Sequence, residues 1–255
     1  MKASEVLNWL NAYSGGNPEN TVDTIKAGSD DKETRKVAFC FIASPSVIRA
    51  AHAWGADVLV THEPTYYDHR DVFVSTPISD AKKKLIEESG MTLYRWHDHP
   101  HLASPDVIHD GFLRATGVEG TADGNYFTFA KDTDATAFSA VIEERLGIRH
   151  VRIIGQRNAR AKKIYLCLGA HGTSHLNEFL ESDAEIMVTG ETTEWRYGYT
   201  VADAAELGFN KSLLLLGHCG SERDGMMLIC GKWNEAHPDV EGKYFECGEL
   251  YSYTD

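Results

Sequence analysis

The chain alternates short, almost wholly apolar runs with amphipathic stretches that stop on glycine. That is the pattern of strands buried on both faces and separated by helices. Residues 1–14 set polar groups among Val6, Leu7, Trp9 and Leu10 and read as a helix, followed by a loop at Gly15-Gly16-Asn17-Pro18. The run 36–43 has strand length. Ser44-Pro45-Ser46 then supplies helix-start chemistry, Val47–Trp54 carries a helix, and Gly55 stops it. A second strand follows at 57–61, a helix at 79–89 closed by Gly90, a strand at 91–96, and a helix at 105–115 ending near Gly117.

The middle of the chain repeats the rhythm. Strands are expected at 126–130, 151–154, 163–168 and 185–188, with helices at 135–146, 174–180 and 200–207. A very apolar strand at 211–216 precedes a segment rich in Gly and Met. The fold class is therefore α/β, with two α/β domains, the second inserted in the first. The outer domain takes residues 1–128 plus 213–255, and the inserted domain takes 129–212. No tandem repeat of fixed period and no low-complexity segment is present.

Three of these strands run into clusters of metal-type ligands: His62-Glu63-Pro64, His97-Asp98-His99-Pro100-His101, and His218-Cys219-Gly220-Ser221-Glu222. Open α/β sheets place chemistry beyond the carboxyl ends of their strands, so the clusters sit where a site is expected. Imidazole and carboxylate suit zinc, iron, manganese, cobalt or nickel, and there are enough of them for two divalent ions. His62 and Glu63 are adjacent, and Pro64 turns the backbone so that both can be used. Pro100 argues against a regular helix through the second cluster, so a loop is expected to aim His97 and His101 while Asp98 or His99 faces solvent. If the segment after Gly217 is helical, His218 and Glu222 share a face. Glu191, after a strand of the inserted domain, is a candidate general base or substrate contact. His171 and His175 flank the loop Gly172-Thr173-Ser174, where Thr173 or Ser174 is expected to cap the following helix, and Tyr66, Tyr67 and Trp195 are expected to pack in the core or at an interface rather than stack on a heterocycle.

Composition removes some alternatives. With 25 Lys and Arg against 38 Asp and Glu, the net charge of −13 argues against a general grip on nucleic acid. The five cysteines are scattered and form no Cys-x-x-Cys pair, which fits a reducing, cytoplasmic setting. No apolar stretch approaches the roughly 18 residues of a membrane span, and the first 14 residues lack the apolar core of a signal peptide.

The clusters also carry a resemblance. The run Gly55-Ala56-Asp57-Val58-Leu59-Val60-Thr61-His62-Glu63-Pro64, the turn His97–His101, Thr189-Gly190-Glu191 and Gly217-His218-Cys219-Gly220-Ser221-Glu222 occur in the order of the Nif-three-like dinuclear-metal family. Its bacterial members are often named GTP cyclohydrolase I type 2 homologues. The resemblance implies His62, Glu63, His101, His218 and Glu222 as metal ligands, with Glu222 bridging, His97 as either a further ligand or a catalytic proton-transfer group, and a toroidal homohexamer. Glu63 stands where most members have a second His, and His101 where most have an Asp. The expected activity is metal-dependent hydrolysis of a small-molecule substrate: a nucleotide, phosphoester or cyclic amide. The alternatives are a non-catalytic metal-binding scaffold or metallochaperone, and an interaction protein that binds no metal.

Overall fold

In the computed structural model, residues 1–16 and 18–254 are described, so Asn17 of the expected loop lies outside the described residues. From the amino terminus run α1 (Ala3–Ser14), β1 (Ile25–Ala27), β2 (Lys36–Cys40), α2 (Pro45–Trp54), β3 (Val58–Thr61), α3 (Pro77–Ser89), β4 (Thr92–Arg95) and the short α4 (Asp98–Leu102). Next come α5 (Val107–Thr116), β5 (Gly120–Asp123), β6 (Tyr126–Thr133), α6 (Ala135–Leu146), β7 (Arg152–Gly155), β8 (Ala161–Ala170), α7 (Ser174–Glu181) and β9 (Ile186–Glu191). A π-helical turn (Glu194–Gly198), α8 (Tyr199–Glu206), β10 (Ser212–Leu215), α9 (His218–Ala236) and β11 (Glu241–Tyr244) complete the chain. Two units result, Met1–Ile108 with Gly225–Asp255, and His109–Asp224. The stretch 129–212 read from the sequence as an insertion lies wholly inside the second.

The first unit is built on a five-stranded sheet in the order β1-β4-β3-β2-β11. β11, β2, β3 and β4 are parallel, and β1 lies antiparallel on β4. Its central strands are buried on both faces, as their unbroken apolar runs require. One face packs on Val6 and Leu10 of α1 and on Met226, Ile229 and Trp233 of α9. The other packs on Val47, Ile48 and Ala51 of α2 and Ile86 of α3. Each of the Val, Leu, Ile and Met side chains among these contributes about 1.5–3 kcal/mol on burial. Register levels the strand ends: Cys40 pairs with Thr61, and Thr61 with Arg95, so β2, β3 and β4 stop together.

β2 stops at Cys40, short of the expected 43, because the backbone beyond it serves a turn. Phe41 O accepts from His62 N at 3.0 Å and Glu63 N at 2.8 Å, and Ala43 N donates to Thr61 Oγ1 at 3.1 Å. The chain reversal that separates His62 from Glu63 is thus built by hydrogen bonds.

The second unit has a six-stranded sheet in the order β5-β6-β8-β9-β10-β7. β8, β9 and β10 are parallel and central; β5, β6 and β7 pair antiparallel. Thr189 pairs with both Cys167 and Leu215, so these strand ends are level too. Among the described residues, no helix is long and apolar enough to cross a membrane.

Candidate metal centre

In the first unit β3 delivers His62 and β4 delivers His97, and α4 adds His101. The ligand atoms of these three residues all lie within 4.8 Å of one another. The rings of His62 and His97 stack at 4.7 Å, and His101 stands edge-on to both, at 5.3 Å from His62 and 5.4 Å from His97. Each Nδ1 has an oxygen partner: Trp96 O at 3.2 Å for His62, Asp98 Oδ1 at 2.9 Å for His97, and Asp106 Oδ2 at 3.0 Å for His101. A neutral imidazole that donates from Nδ1 carries its lone pair on Nε2. Oxygen acceptors behind ligating histidines are the usual arrangement that fixes tautomer and ring orientation at a metal. Glu63 Oε1 stands 3.8 Å from His97 Nε2 and adds a carboxylate beside the triad.

The turn that carries His97 and His101 departs from expectation. Residues 98–102 are helical, with Pro100 in the first turn, where its missing N–H breaks no helical hydrogen bond. Asp23 makes this possible. Its buried carboxylate accepts from the backbone N–H groups of His97 at 2.6 Å, Asp98 at 2.9 Å and His99 at 2.8 Å, and from His99 Nδ1 at 2.6 Å. His99 therefore faces inward, not solvent, and Asp98 accepts from Thr21 Oγ1 at 2.9 Å and Val22 N at 3.1 Å as well as facing His97. Asp23→Ala would strand several buried donors, each costing about 1–3 kcal/mol. The expected result is a stability loss of about 3 kcal/mol in urea unfolding, with His97 and His101 no longer held together.

Burial pushes His97 below the ordinary histidine value; the neighbouring His62 and His101 add to this, while Asp98 and Glu63 oppose it. The hydrogen bond with His97 holds the Asp98 carboxyl well below the usual carboxylate range. The dyad is thus a neutral imidazole backed by a carboxylate.

In the second unit α9 begins at His218, and its first turn brings His218 Nε2 to 3.1 Å from Glu222 Oε2. His218 Nδ1 lies 3.2 Å from Glu191 Oε1, so this histidine also has a carboxylate behind it. Ser221 accepts from Gly169 N at 2.9 Å and donates to His218 O at 2.8 Å, tying the start of α9 to the end of β8. Two glycines leave room for the pair. A methyl at Gly190 would meet Ser221 Oγ at 2.6 Å and His218 Cα at 2.9 Å. At Gly169, where φ is +75°, it would run into the Glu222 carboxylate and lie 3.1 Å from His218 Nε2. Gly169→Ala is therefore expected to displace Glu222, lowering metal affinity by at least about tenfold in chelator competition while the fold persists. Val188-Thr189-Gly190-Glu191 matches Val60-Thr61-His62-Glu63 in its Val-Thr-x-Glu sequence, and both Thr hydroxyls contact the carbonyl of their own Glu, at 3.4 Å and 3.3 Å.

The family model of Duf34/NIF3 (NGG1p interacting factor 3) matches residues 1–247. The chain belongs to the Duf34/NIF3 family. It is 23% identical to a GTP cyclohydrolase 1 type 2 homolog of Clostridium perfringens over 94% of this chain and 95% of that one. Against the homolog of Archaeoglobus fulgidus it is 29% identical, over 90% and 91%. The solved structure of a Bacillus cereus protein related to NIF3 superposes with a TM-score of 0.79 at 13% identity, covering 100% of this chain and 99% of that one, which is a likeness of fold.

The donor set of this Duf34/NIF3 chain suits divalent cations: three oriented imidazoles with Glu63 in one unit, and the His218–Glu222 pair in the other. Three supporting residues escaped the sequence reading. Asp23, Asp106 and Arg95 lie outside the motifs, and only folding brings them to the candidate histidines. Arg95 is fully buried behind His62. Its Nε donates to His62 O at 3.1 Å, and its Nη1 donates to His69 O and lies 3.5 Å from Asp71 Oδ2. Neither Thr173 nor Ser174 caps α7 as expected, since its amino terminus has no side-chain cap at Thr173. Tyr67 and Trp195, expected to pack in the core or at an interface, are 62% and 73% exposed in the single chain and so lie outside its core.

Proposed function

We propose that this protein binds two divalent metal ions and is a metal-dependent hydrolase. The ligands are His62, Glu63 and His101 in the first unit and His218 and Glu222 in the second. The observation that carries the reading is the orientation of the histidines: His62, His97, His101 and His218 each have an oxygen acceptor at Nδ1. His52, His99 and His237 also have an oxygen at Nδ1, and what sets His62, His97 and His101 apart is that their ligand atoms also converge within 4.8 Å. These residues would hold the divalent ions, and the chemistry supplied when they are bound would be activation of water and neutralisation of developing oxyanion charge.

The chain's own groups supply the remaining chemistry. His97, its tautomer set by Asp98, accepts or returns a proton beside the ligands. Glu191 sets the tautomer of His218 and is the more solvent-exposed carboxylate of its pair, 54% against 3% for Glu222, so it can exchange protons with water. Glu63 and His101 exchange carboxylate and imidazole relative to the resemblance, which keeps the count of donors and changes the ion each position favours.

The relatives' name, GTP cyclohydrolase 1 type 2 homolog, supports hydrolytic opening of a nucleotide ring as the reaction class. Phosphoesters and cyclic amides remain within the same chemistry. The reading includes a cytoplasmic location, a homohexamer and a small-molecule substrate. The test is a screen of nucleotides, phosphoesters and cyclic amides with Glu222→Ala as control. Turnover at least about 100-fold above that control is expected; none above it would leave a metal-binding scaffold.

A further inference from the structure

A cavity of about 330 Å³ opens in the first unit between the first turns of α2 and α3 and the loop at Tyr67, and it uses none of the residues assigned above. We propose that it binds a small organic anion, a phosphate monoester or a carboxylate, with Lys82 and Arg49 as its cations.

Charge is the first observation. In a chain with 38 acidic residues, no Asp or Glu lines this cavity, whereas Arg49 and Lys82 both do. Lys82 is only 3% exposed. A buried ammonium is costly unless paired and hydrogen-bonded, yet among the described residues Lys82 Nζ has only the Tyr67 ring, 4.8 Å from it, as a partner. The acid nearest in effect, Asp71, is already committed: Lys26 lies 3.1 Å from it, Arg95 3.5 Å, and Thr65 N and Tyr66 N donate to it at 2.6 and 3.1 Å. Burial pushes the Lys82 amine down to about 8, against the weak upward pull of Cys40 and Asp71. An ammonium held without its own counter-ion next to an open cavity is suited to receive an anion.

The walls agree. Pro45 and Pro77 open α2 and α3 after the side-chain caps Ser44 and Thr76, so two helix amino termini, with their partial positive charge, border the cavity. Tyr67 adopts φ +67°, a conformation tyrosine rarely takes, which places its ring over the ammonium. Ile78 and Tyr67 are 69% and 62% exposed and give the rim an apolar face for an organic body. The volume lies in the range of small-molecule pockets, about 300–1,000 Å³.

Calorimetric titration of the protein as purified with phenyl phosphate and with benzoate, at constant ionic strength near pH 8, tests this. The charged and titratable groups around the amine are Arg49 on α2, Tyr67 and Asp71 from the loop, and Cys40 at the end of β2. At least one probe should bind, and the better of the two identifies the headgroup. Binding should take up a proton, seen as an enthalpy that changes with buffer ionisation, because the anion returns Lys82 to its charged form. Lys82→Met should abolish that uptake and weaken binding about 10–100-fold. Arg49→Gln, at an exposed position that leaves the fold intact, should weaken it about 3–10-fold and carries the test should Lys82→Met fail to fold. No binding up to about 10 mM, or affinities in Arg49→Gln and Lys82→Met equal to the parent's, would overturn the proposal.

Discussion

His101→Ala should emerge from purification without its full complement of metal, while Asp106→Asn should keep that complement with affinity lowered about 10–100-fold. His99→Gln, two positions away, should leave metal content unchanged. Three histidines within five residues thus have different tasks. His101 stands with His62 and His97 in a cluster whose ligand atoms all lie within 4.8 Å, so removing it deletes a donor. Asp106 accepts from His101 Nδ1 at 3.0 Å and also from Ile108 N at 2.7 Å. An asparagine there keeps an acceptor but loses the charge that raises the basicity of the ring. His99 is spent on Asp23, with Nδ1 at 2.6 Å from that carboxylate. Elemental analysis of the three variants, with chelator competition for Asp106→Asn, separates these outcomes. Full metal content in His101→Ala would remove it from the ligand set.

Arg95→Leu should destabilise the first unit by about 3–5 kcal/mol, the cost of breaking a buried charge network by removing one partner. The guanidinium joins His62 O, His69 O and Asp71, and Asp71 in turn meets Lys26 at 3.1 Å with both side chains at least nine-tenths buried. Leucine fills part of the volume and satisfies none of the acceptors. Arg95→Lys restores a charge without the planar fork and should recover only part of the loss. Tryptophan fluorescence follows the event, because Trp9, Trp54, Trp96 and Trp233 all belong to the first unit. Because the same guanidinium holds the His62 carbonyl, metal affinity should fall in Arg95→Leu as well. A loss below about 1 kcal/mol would mean that the network positions nothing.

Much of the α/β framework was legible because β2, β3, β4 and β10 are buried on both faces and their runs are continuously apolar. The stops were equally plain: Gly55 and Gly90, with φ of 83° and 62°, end α2 and α3. Of the four edge strands, only β7 was legible. β1, β5 and β11 are three or four residues long and only partly buried or exposed, so no periodicity marks them. α9 hides for another reason. It runs through Gly220, Gly225 and Gly231, residues that read as breaks, yet a methyl at Gly225 would meet Ile108 at 2.6 Å. That glycine is there for close packing. At the site, the strand-end clusters were visible, whereas α4 was concealed by Pro100. The residue that allows the helix, Asp23, lies far back in the chain and reveals itself only through its hydrogen bonds to the backbone of 97–99.

The two units also share a device that neither motif announces alone. Level ends of three parallel strands present a Thr whose hydroxyl stabilises the turn, followed by a Glu, at Thr61–Glu63 and at Thr189–Glu191. The histidines arrive from the neighbouring strand ends, His97 after β4 and His218 after β10. This explains why candidate site residues widely separated in sequence are presented in equivalent ways.

The most direct test of the account is elemental analysis of the full chain purified without added metal. Two divalent ions per chain are predicted, falling sharply in Glu222→Ala and His101→Ala. A content at or below one ion per chain, unchanged by either substitution, would contradict the proposal that the chain binds two ions.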